Sequence, residues 1–106
     1  MTQFDDRERA FETKFARDED MAFRVTARRN KLFGQWAAAL MSLTAEETTS
    51  YATSVVQADF EEAGDNEVVR KVLGDLTAAG VDTDEATVRQ SLVDKMVDAR
   101  RQLMGF

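Results

Sequence analysis

The hydrophobic positions of this chain recur at steps of three and four, the spacing that brings side chains to one face of an α-helix. Four segments show a broad apolar face of this kind, at 21–43, 44–63, 65–79 and 84–104. We find no alternating strand pattern longer than a few residues, and the chain contains no proline that would break a helix from within. The pattern therefore predicts an all-α fold, a four-helix bundle formed by one small domain.

Short sequence signals mark where these helices begin and end. Thr44 and Glu47 have the spacing of a capping box, which ends the first helix near Leu43 and begins the second. The other boundaries pair a glycine that can end one helix with polar residues that can cap the next: Gly64 with Asp65 or Asn66, and Gly80 with Thr83 or Asp84. Because the connections are only a few residues long, consecutive helices are expected to be antiparallel neighbours.

The first helical segment is predicted to be much longer than the other three. Between Thr2 and Ser42 only Gly34 weakens a helix, and a continuous helix of that length would span roughly 60 Å, against about 20–30 Å for each of the others. A bundle cannot cover both halves of such a helix. We therefore expect an N-terminal segment at 1–18 and a four-helix bundle domain at 19–106.

The N-terminal segment has only a thin apolar stripe. Phe4, Phe11 and Phe15 are seven and four residues apart, so on a helix they share one narrow face, and the residues around them are mostly charged or small. Such an amphipathic segment is expected to overhang the bundle, or to be mobile beside it, and to suit the groove of a partner protein. The alternative is that the phenylalanines fold back onto the bundle as additional core. The residues themselves leave both interpretations open.

Charge is distributed unevenly along the chain, whose formal net charge is −6. Residues 21–43 hold four basic side chains and no acidic one, whereas the segments on either side are acidic. The first interpretation is that this basic helix docks on acidic neighbouring helices. The second is a ligand site for an anion on Arg24, Arg28 and Lys31, which share one face of the helix. Nucleic acid is a poor candidate for this face, because the chain is acidic overall and no aromatic platform adjoins the arginines.

The residue types exclude most catalytic chemistry. The chain has no cysteine and no histidine, which rules out thiolate metal sites, cysteine nucleophiles and the usual catalytic triads. Its five glycines are isolated from one another, so there is no glycine-rich phosphate loop, and the acidic clusters lack the spacing of a calcium loop. We expect no enzyme, no cofactor and no metal. Neither a bilayer-spanning apolar run nor a signal-like N-terminus is present, which predicts a cytoplasmic protein.

One long stretch of the chain resembles a known family. The sequence FDDRERAFETKFARDEDMAFRVTARRNKLFGQWAA is similar to the opening of the zeta subunit, the ATPase inhibitor of the alphaproteobacterial F-type ATP synthase, and YATSVVQADFEEAG, EVVRKVLGDL and GVD also match that pattern. The resemblance implies a four-helix domain with a mobile N-terminal inhibitory segment. It further implies that this segment enters a catalytic interface of the ATPase head beside the central rotor and blocks rotation in the direction of ATP hydrolysis.

Carried onto this chain, the resemblance makes Thr2 to about Arg17 the inhibitory segment. Phe4, Phe11 and Phe15 are the expected apolar anchors. The expected polar contacts come from six charged residues of the same segment: Asp5, Arg7, Glu8, Arg9, Glu12 and Lys14. The implied partners are the alpha, beta and gamma subunits of the catalytic head, so the chain would be peripheral on the inner-membrane ATP synthase and a monomer when free. Two alternatives remain, a general helical adaptor and a nucleotide-binding bundle without an inhibitory role.

Overall fold

Four helices form the described fold. The computed structural model describes the backbone of residues 3–61 and 64–105 and the side chains of residues 19–60 and 64–105. The helices are α1, Gln3–Leu40; α2, Ala45–Glu61; α3, Asp65–Ala78; and α4, Glu85–Met104. Within these ranges there is no strand. The prediction of an all-α, four-helix fold is confirmed.

Helix α1 determines the long axis of the molecule. Its 38 residues correspond to about 57 Å of helix, close to the longest dimension of the molecule, 65 Å. Gly34 lies inside α1 without ending it, as predicted. The other helices have 17, 14 and 20 residues, so each spans about 20–30 Å. Only part of α1 can therefore lie alongside its neighbours.

The helices form a ring of antiparallel neighbours around the core. Helix α1 contacts α2 and α4, α2 contacts α3, and α3 contacts α4, while α3 also reaches α1. Phe23 of α1 meets Phe60 near the end of α2, and Arg28 of α1 meets Gln102 near the end of α4. The earlier part of α1 within the bundle thus faces the late parts of both neighbouring helices, which is the arrangement predicted from the short connections.

The core consists mainly of aliphatic side chains packed around one aromatic ring. Phe33 is fully buried and stacks on Trp36, with the ring centroids 5.8 Å apart. The other buried residues of the same core cluster are Ala37, Val55, Val68, Val69, Val72, Leu76, Val88 and Leu92. Five residues that helical spacing places on apolar faces are instead exposed: Leu40, Phe60, Val93, Val97 and Met104. The spacing overestimates the buried stripe because it cannot show how much of each face a neighbouring helix covers.

Two of the predicted helix starts are confirmed. Thr44 Oγ1 accepts a hydrogen bond from the backbone N–H of Glu47 at 3.2 Å, and Glu47 Oε1 accepts one from the backbone N–H of Thr44 at 3.0 Å. This is the reciprocal capping box, and the hydrogen bond from the Thr44 backbone lowers the pKa of the Glu47 carboxyl. Asp84, rather than Thr83, caps α4 by accepting from the backbone N–H of Thr87 at 2.8 Å.

The predicted start of α3 is wrong, whereas its predicted end is confirmed. Gly64 occupies the N-cap position without a side-chain cap, and Asp65 is already the first helical residue. The Asp65 carboxylate accepts a hydrogen bond from Arg29 of α1 instead. After α3, Gly80 adopts a φ of 81°, and the N–H of Val81 bonds back to the last helical turn at 3.0 Å. This is a Schellman-type end, and it needs a residue that tolerates positive φ.

Gly34 lies where the backbones of α1 and α2 approach closely. A Cβ atom added at this position would lie 2.7 Å from the Cα of Ala52 and 3.3 Å from a methyl carbon of Val55. The Cα of a packed helix cannot swing aside as a long side chain can, so a side chain at position 34 would push the helices apart. Packing therefore requires glycine here, although glycine weakens a helix.

A buried polar cluster joins α1 to α2 and α3. The guanidinium of Arg29, a residue only 4% exposed, donates from Nε and Nη2 to Oδ1 of Asn30 at 3.1 and 3.0 Å and from Nη1 to Oδ1 of Asp65 at 3.0 Å. The buried Asn30 donates from Nδ2 to Oδ2 of Asp59 at 3.0 Å. Docking of the basic segment on acidic neighbouring helices, the first interpretation of its charge, thus holds for Arg29.

Tyr51, the only tyrosine of the chain, joins α2 to α3. Its hydroxyl donates to Oδ2 of Asp75 at 2.8 Å, and Nζ of Lys71 donates to the same oxygen at 3.0 Å. Burial, followed by the hydrogen bond and the negative charge of Asp75, raises the pKa of the Tyr51 hydroxyl far above its ordinary value. The folded state therefore keeps this proton at pH values at which the unfolded chain loses it.

Replacing Gly34 with alanine should destabilise the bundle. We expect the free energy of unfolding to fall by about 1–3 kcal/mol, because the clash with the Ala52 backbone outweighs the better helix propensity of alanine. Urea unfolding followed by circular dichroism measures the change. The matched control is Gly74→Ala in α3, where an added Cβ would meet no atom within 4 Å and should be neutral or stabilise by up to about 1 kcal/mol. Equal effects of the two substitutions would contradict the packing role of Gly34.

Replacing Arg29 with methionine should cost about 1–3 kcal/mol of unfolding free energy, because the buried Oδ1 of Asn30 loses both of its described donors. The control is Arg28→Met, one position away, whose side chain donates to Gln102 at an exposed site. That change should stay within about 0.5 kcal/mol of the parent protein. A similar loss in both variants, in chemical unfolding at neutral pH, would show that the cluster has no special role.

The stability that Tyr51 contributes should depend on pH at the alkaline end. Because its pKa is raised in the folded state, its contribution is fully present below the unfolded pKa of about 10 and is lost as the pH rises above that value. Tyr51→Phe should cost about 0.5–1.5 kcal/mol at neutral pH, and the difference from the parent should narrow above about pH 10. Unfolding measured across this range tests the trend, and tyrosinate absorbance reports the ionisation directly because there is no second tyrosine.

Candidate functional site

The nine residues predicted to bind a partner through the N-terminal segment belong to the first half of α1. The backbone there is helical from Gln3 onward. The side chains in question lie outside the residues whose side chains are described: Phe4, Asp5, Arg7, Glu8, Arg9, Phe11, Glu12, Lys14 and Phe15. Their individual roles therefore stay predictions. What the backbone adds is that this segment and the bundle share one helix.

Helical register relates the phenylalanine stripe to the bundle core. Eighteen residues make about five turns of α-helix, so positions 11 and 15 recur in register at Arg29 and Phe33. Both of these later residues are buried against the other helices. At positions 11 and 15 the stripe is thus the continuation, in register, of the core-facing side of α1. This continuity holds as far as α1 is regular, from Gln3 to Leu40.

The three cations predicted as a ligand site lie close together in the structure. Arg24, Arg28 and Lys31 line one shallow depression of about 420 Å³ on the outer side of α1. Val56 of α2 and Leu103 of α4 form its flanks. The depression is therefore built from three helices, and helical spacing in α1 accounts for the cations but not for the apolar flanks.

These cations differ from Arg29 in their partners. Nε of Arg24 lies 3.2 Å from Oδ2 of Asp20 in a pair whose side chains are both about 60% exposed, so the pair stabilises the helix little. Arg28 donates to the neutral oxygen of Gln102 at 3.2 Å. Of the four basic residues of this segment, Arg29 alone is buried. The other three leave a basic surface on an acidic chain. Binding of a small anion there stays a prediction.

An aromatic pair adjoins the basic surface, and this corrects the expectation that no aromatic platform lies near the arginines. The rings of Phe23 and Phe60 lie 5.2 Å apart at an angle of 43°, and the two residues are 55% and 59% exposed. Phe23 also lines the depression that the cations share. Because Phe23 directly precedes Arg24, the sequence alone could have indicated an aromatic residue near the arginines. The sequence could not have indicated Phe60, because only the packing of α2 on α1 brings this residue to this surface.

Two further properties bear on function. Among the residues with described side chains, 19–60 and 64–105, no three acidic side chains are grouped so that they could hold a metal ion. In the same part of the chain no helix has the length and apolar character needed to cross a membrane.

The chain was compared with known proteins. The family model described as ATPase inhibitor subunit zeta matches residues 1–102. A solved structure described as "Solution NMR structure of the protein" is 47% identical, with a TM-score of 0.71, over 80% of this chain and 96% of that chain. A search among curated proteins found no match. Because the family match spans nearly the whole sequence and a helical bundle accompanies it, the chain belongs to the ATPase inhibitor subunit zeta family.

Proposed function

We propose that this chain inhibits the F-type ATP synthase by inserting residues 1–18 into a catalytic interface of the ATPase head, while residues 19–106 form the bundle that anchors it. The observation that carries the proposal is the length of α1. Its neighbours α2 and α4 end near Phe60 and Met104, which lie next to Phe23 and Met21. Residues 3–18 add about 24 Å of helix before that point.

The proposed mechanism is steric and needs no chemistry from the inhibitor. A helix held between subunits of the head obstructs the conformational change that must accompany each rotation. The energy barrier to rotation in the direction of ATP hydrolysis is therefore raised. Phe4, Phe11 and Phe15 provide apolar anchors at helical spacing, a known mode of helix recognition in grooves. The charged residues between them face the rim of the groove. The partners in this proposal are the alpha, beta and gamma subunits, and the complex is peripheral to the membrane.

Continuity with the bundle lowers the cost of ordering the segment. An isolated helix of this length is marginal in water, because the first turn must form before any hydrogen bond offsets its lost freedom. In α1 that first turn already exists, since the neighbouring helices contact α1 at Met21 and Phe23 and beyond. The segment therefore extends an existing helix rather than starting a new one. More of its contact energy remains for binding the partner.

Membership in an ATPase inhibitor family favours inhibition over the alternative of a general helical adaptor. The two functions would use the same phenylalanine stripe and differ only in the partner. The nucleotide alternative would instead use the cations of the bundle. It predicts that ATP or ADP shifts the amide resonances of residues 24–36, a result that inhibition through the N-terminal segment does not require.

Replacing the three anchors should greatly weaken inhibition while leaving the bundle folded. In the full chain carrying Phe4→Ala, Phe11→Ala and Phe15→Ala, we expect the concentration needed for half-inhibition of the cognate ATPase to rise more than about tenfold, since buried aromatic anchors dominate interfaces. The matched control replaces three exposed apolar residues of the bundle, Leu40, Val93 and Val97, with alanine. It should inhibit as the parent does.

Deletion of residues 1–18 provides the second arm of this test. Equal inhibition by the deleted and the full chain would overturn the proposal. The melting temperature of the triple phenylalanine variant distinguishes the remaining possibility. If it falls by much more than that of the bundle control, the phenylalanines belong to the core of the free protein rather than to a binding segment.

A further inference from the structure

An exposed aromatic pair is an unusual surface for a small helical bundle. Phe23 and Phe60 each leave more than half of their surface in water, although they come from different helices and pack on each other at 5.2 Å. Core packing does not account for them, because the core closes around Phe33 without their help. Exposed aromatic groups that form a contiguous apolar surface with a polar rim are typical of sites where another protein binds.

The rim of this surface is basic. Arg24, Arg28 and Lys31 surround the same depression that Phe23 and Val56 line, on a chain whose net charge is −6. The described ion pair nearest to it, between Arg24 and Asp20, is exposed and weak. A partner with acidic side chains around an apolar centre would therefore complement this surface in both charge and polarity. An aromatic centre with arginines at its edge is also the composition found at the energetic centre of protein interfaces.

The position of the surface along α1 indicates which partner it meets. Phe23 follows residue 18 by five positions, or about 7.5 Å along the helix axis, so the surface lies just outside the segment that is proposed to insert. In register, Arg24 and Lys31 lie on the side of α1 opposite to the phenylalanine stripe, and Arg28 lies about 120° around the helix from it. A partner that binds the stripe and also contacts this surface must therefore touch α1 on two sides. The two walls of a cleft between subunits can do so.

We propose that Phe23, Phe60, Arg24, Arg28 and Lys31 form a second docking surface, which binds an acidic, partly apolar surface of the ATPase head at the mouth of the cleft that receives residues 1–18. This inference rests on the proposed function and adds to it. The surface holds the bundle against the head, and its cations speed the encounter by attracting acidic side chains.

The test uses full-length variants and the intact ATPase head. The double variant Phe23→Ala, Phe60→Ala should weaken binding to the head at least tenfold. A separate double variant, Arg24→Glu, Arg28→Glu, should weaken binding more than the aromatic variant does and should also slow association. The matched controls are Val93→Ala with Val97→Ala, exposed on α4, and Arg70→Glu, exposed on α3. Both should bind as the parent does. Circular dichroism checks folding, and the charge-reversal variant keeps the test valid if loss of both rings disturbs the bundle.

Salt provides an independent readout. Raising the ionic strength from about 0.1 M to about 1 M shortens the screening length from about 10 Å to about 3 Å, so binding of the parent should weaken and binding of the charge-reversed variant should change less. Binding of the doubly substituted aromatic variant at parental strength, together with parental salt dependence in the charge-reversed variant, would overturn the inference.

Two further outcomes would also overturn it. Amide shifts of Phe23 and Phe60 on addition of ATP or inorganic phosphate, with head binding unchanged in the variants, would make the surface a small-anion site. Self-association that disappears in the aromatic variant, again with unchanged head binding, would make it a contact between copies. Failure of the proposed function is seen separately, as undiminished inhibition by the triple Phe4, Phe11 and Phe15 variant.

Discussion

A cluster of hydrogen bonds around one buried guanidinium connects three of the four helices. Burying a charge is costly unless its donors are satisfied, and Arg29 meets this condition with Asn30 in its own helix and Asp65 at the start of α3. Through Asn30 the cluster reaches Asp59 of α2. These bonds set where α2 and α3 lie along α1. Because Arg29 points inward, the other basic residues of its segment are left on the outer surface, where the aromatic pair adjoins them.

Features that depend on neighbours within one helix could be predicted from the sequence, and features that depend on contact between helices could not. The capping box at Thr44 and the Schellman-type end at Gly80 are local, and both are confirmed. The packing role of Gly34 and the exposure of Phe60 depend on how closely α2 approaches α1. Asp65 has the residue type of a helix cap, and only the folded structure shows that its carboxylate instead accepts a hydrogen bond from Arg29.

The candidate sites follow the same division. Helical spacing was enough to group Arg24, Arg28 and Lys31, but the second aromatic ring of that surface comes from another helix and gave no signal in the sequence. The N-terminal segment is different, because helix length and spacing were enough to define it, whereas its inhibitory role came from the resemblance of a long, specific stretch. The family match over residues 1–102 supports the inhibitor class, whereas the contribution of each charged residue in the segment depends on a partner surface.

The uninterrupted course of α1 has a mechanical consequence. A helix without a proline or a break between Gln3 and Leu40 is a stiff rod, so a force applied at its tip is passed along the backbone to the bundle instead of being absorbed in a hinge. In the proposed complex the rotor pushes on that tip, and the load falls on the contacts of Phe33 and Arg29 deep in the core. The torque that the inhibitor withstands then depends on the stability of its hydrophobic core as much as on its affinity for the partner.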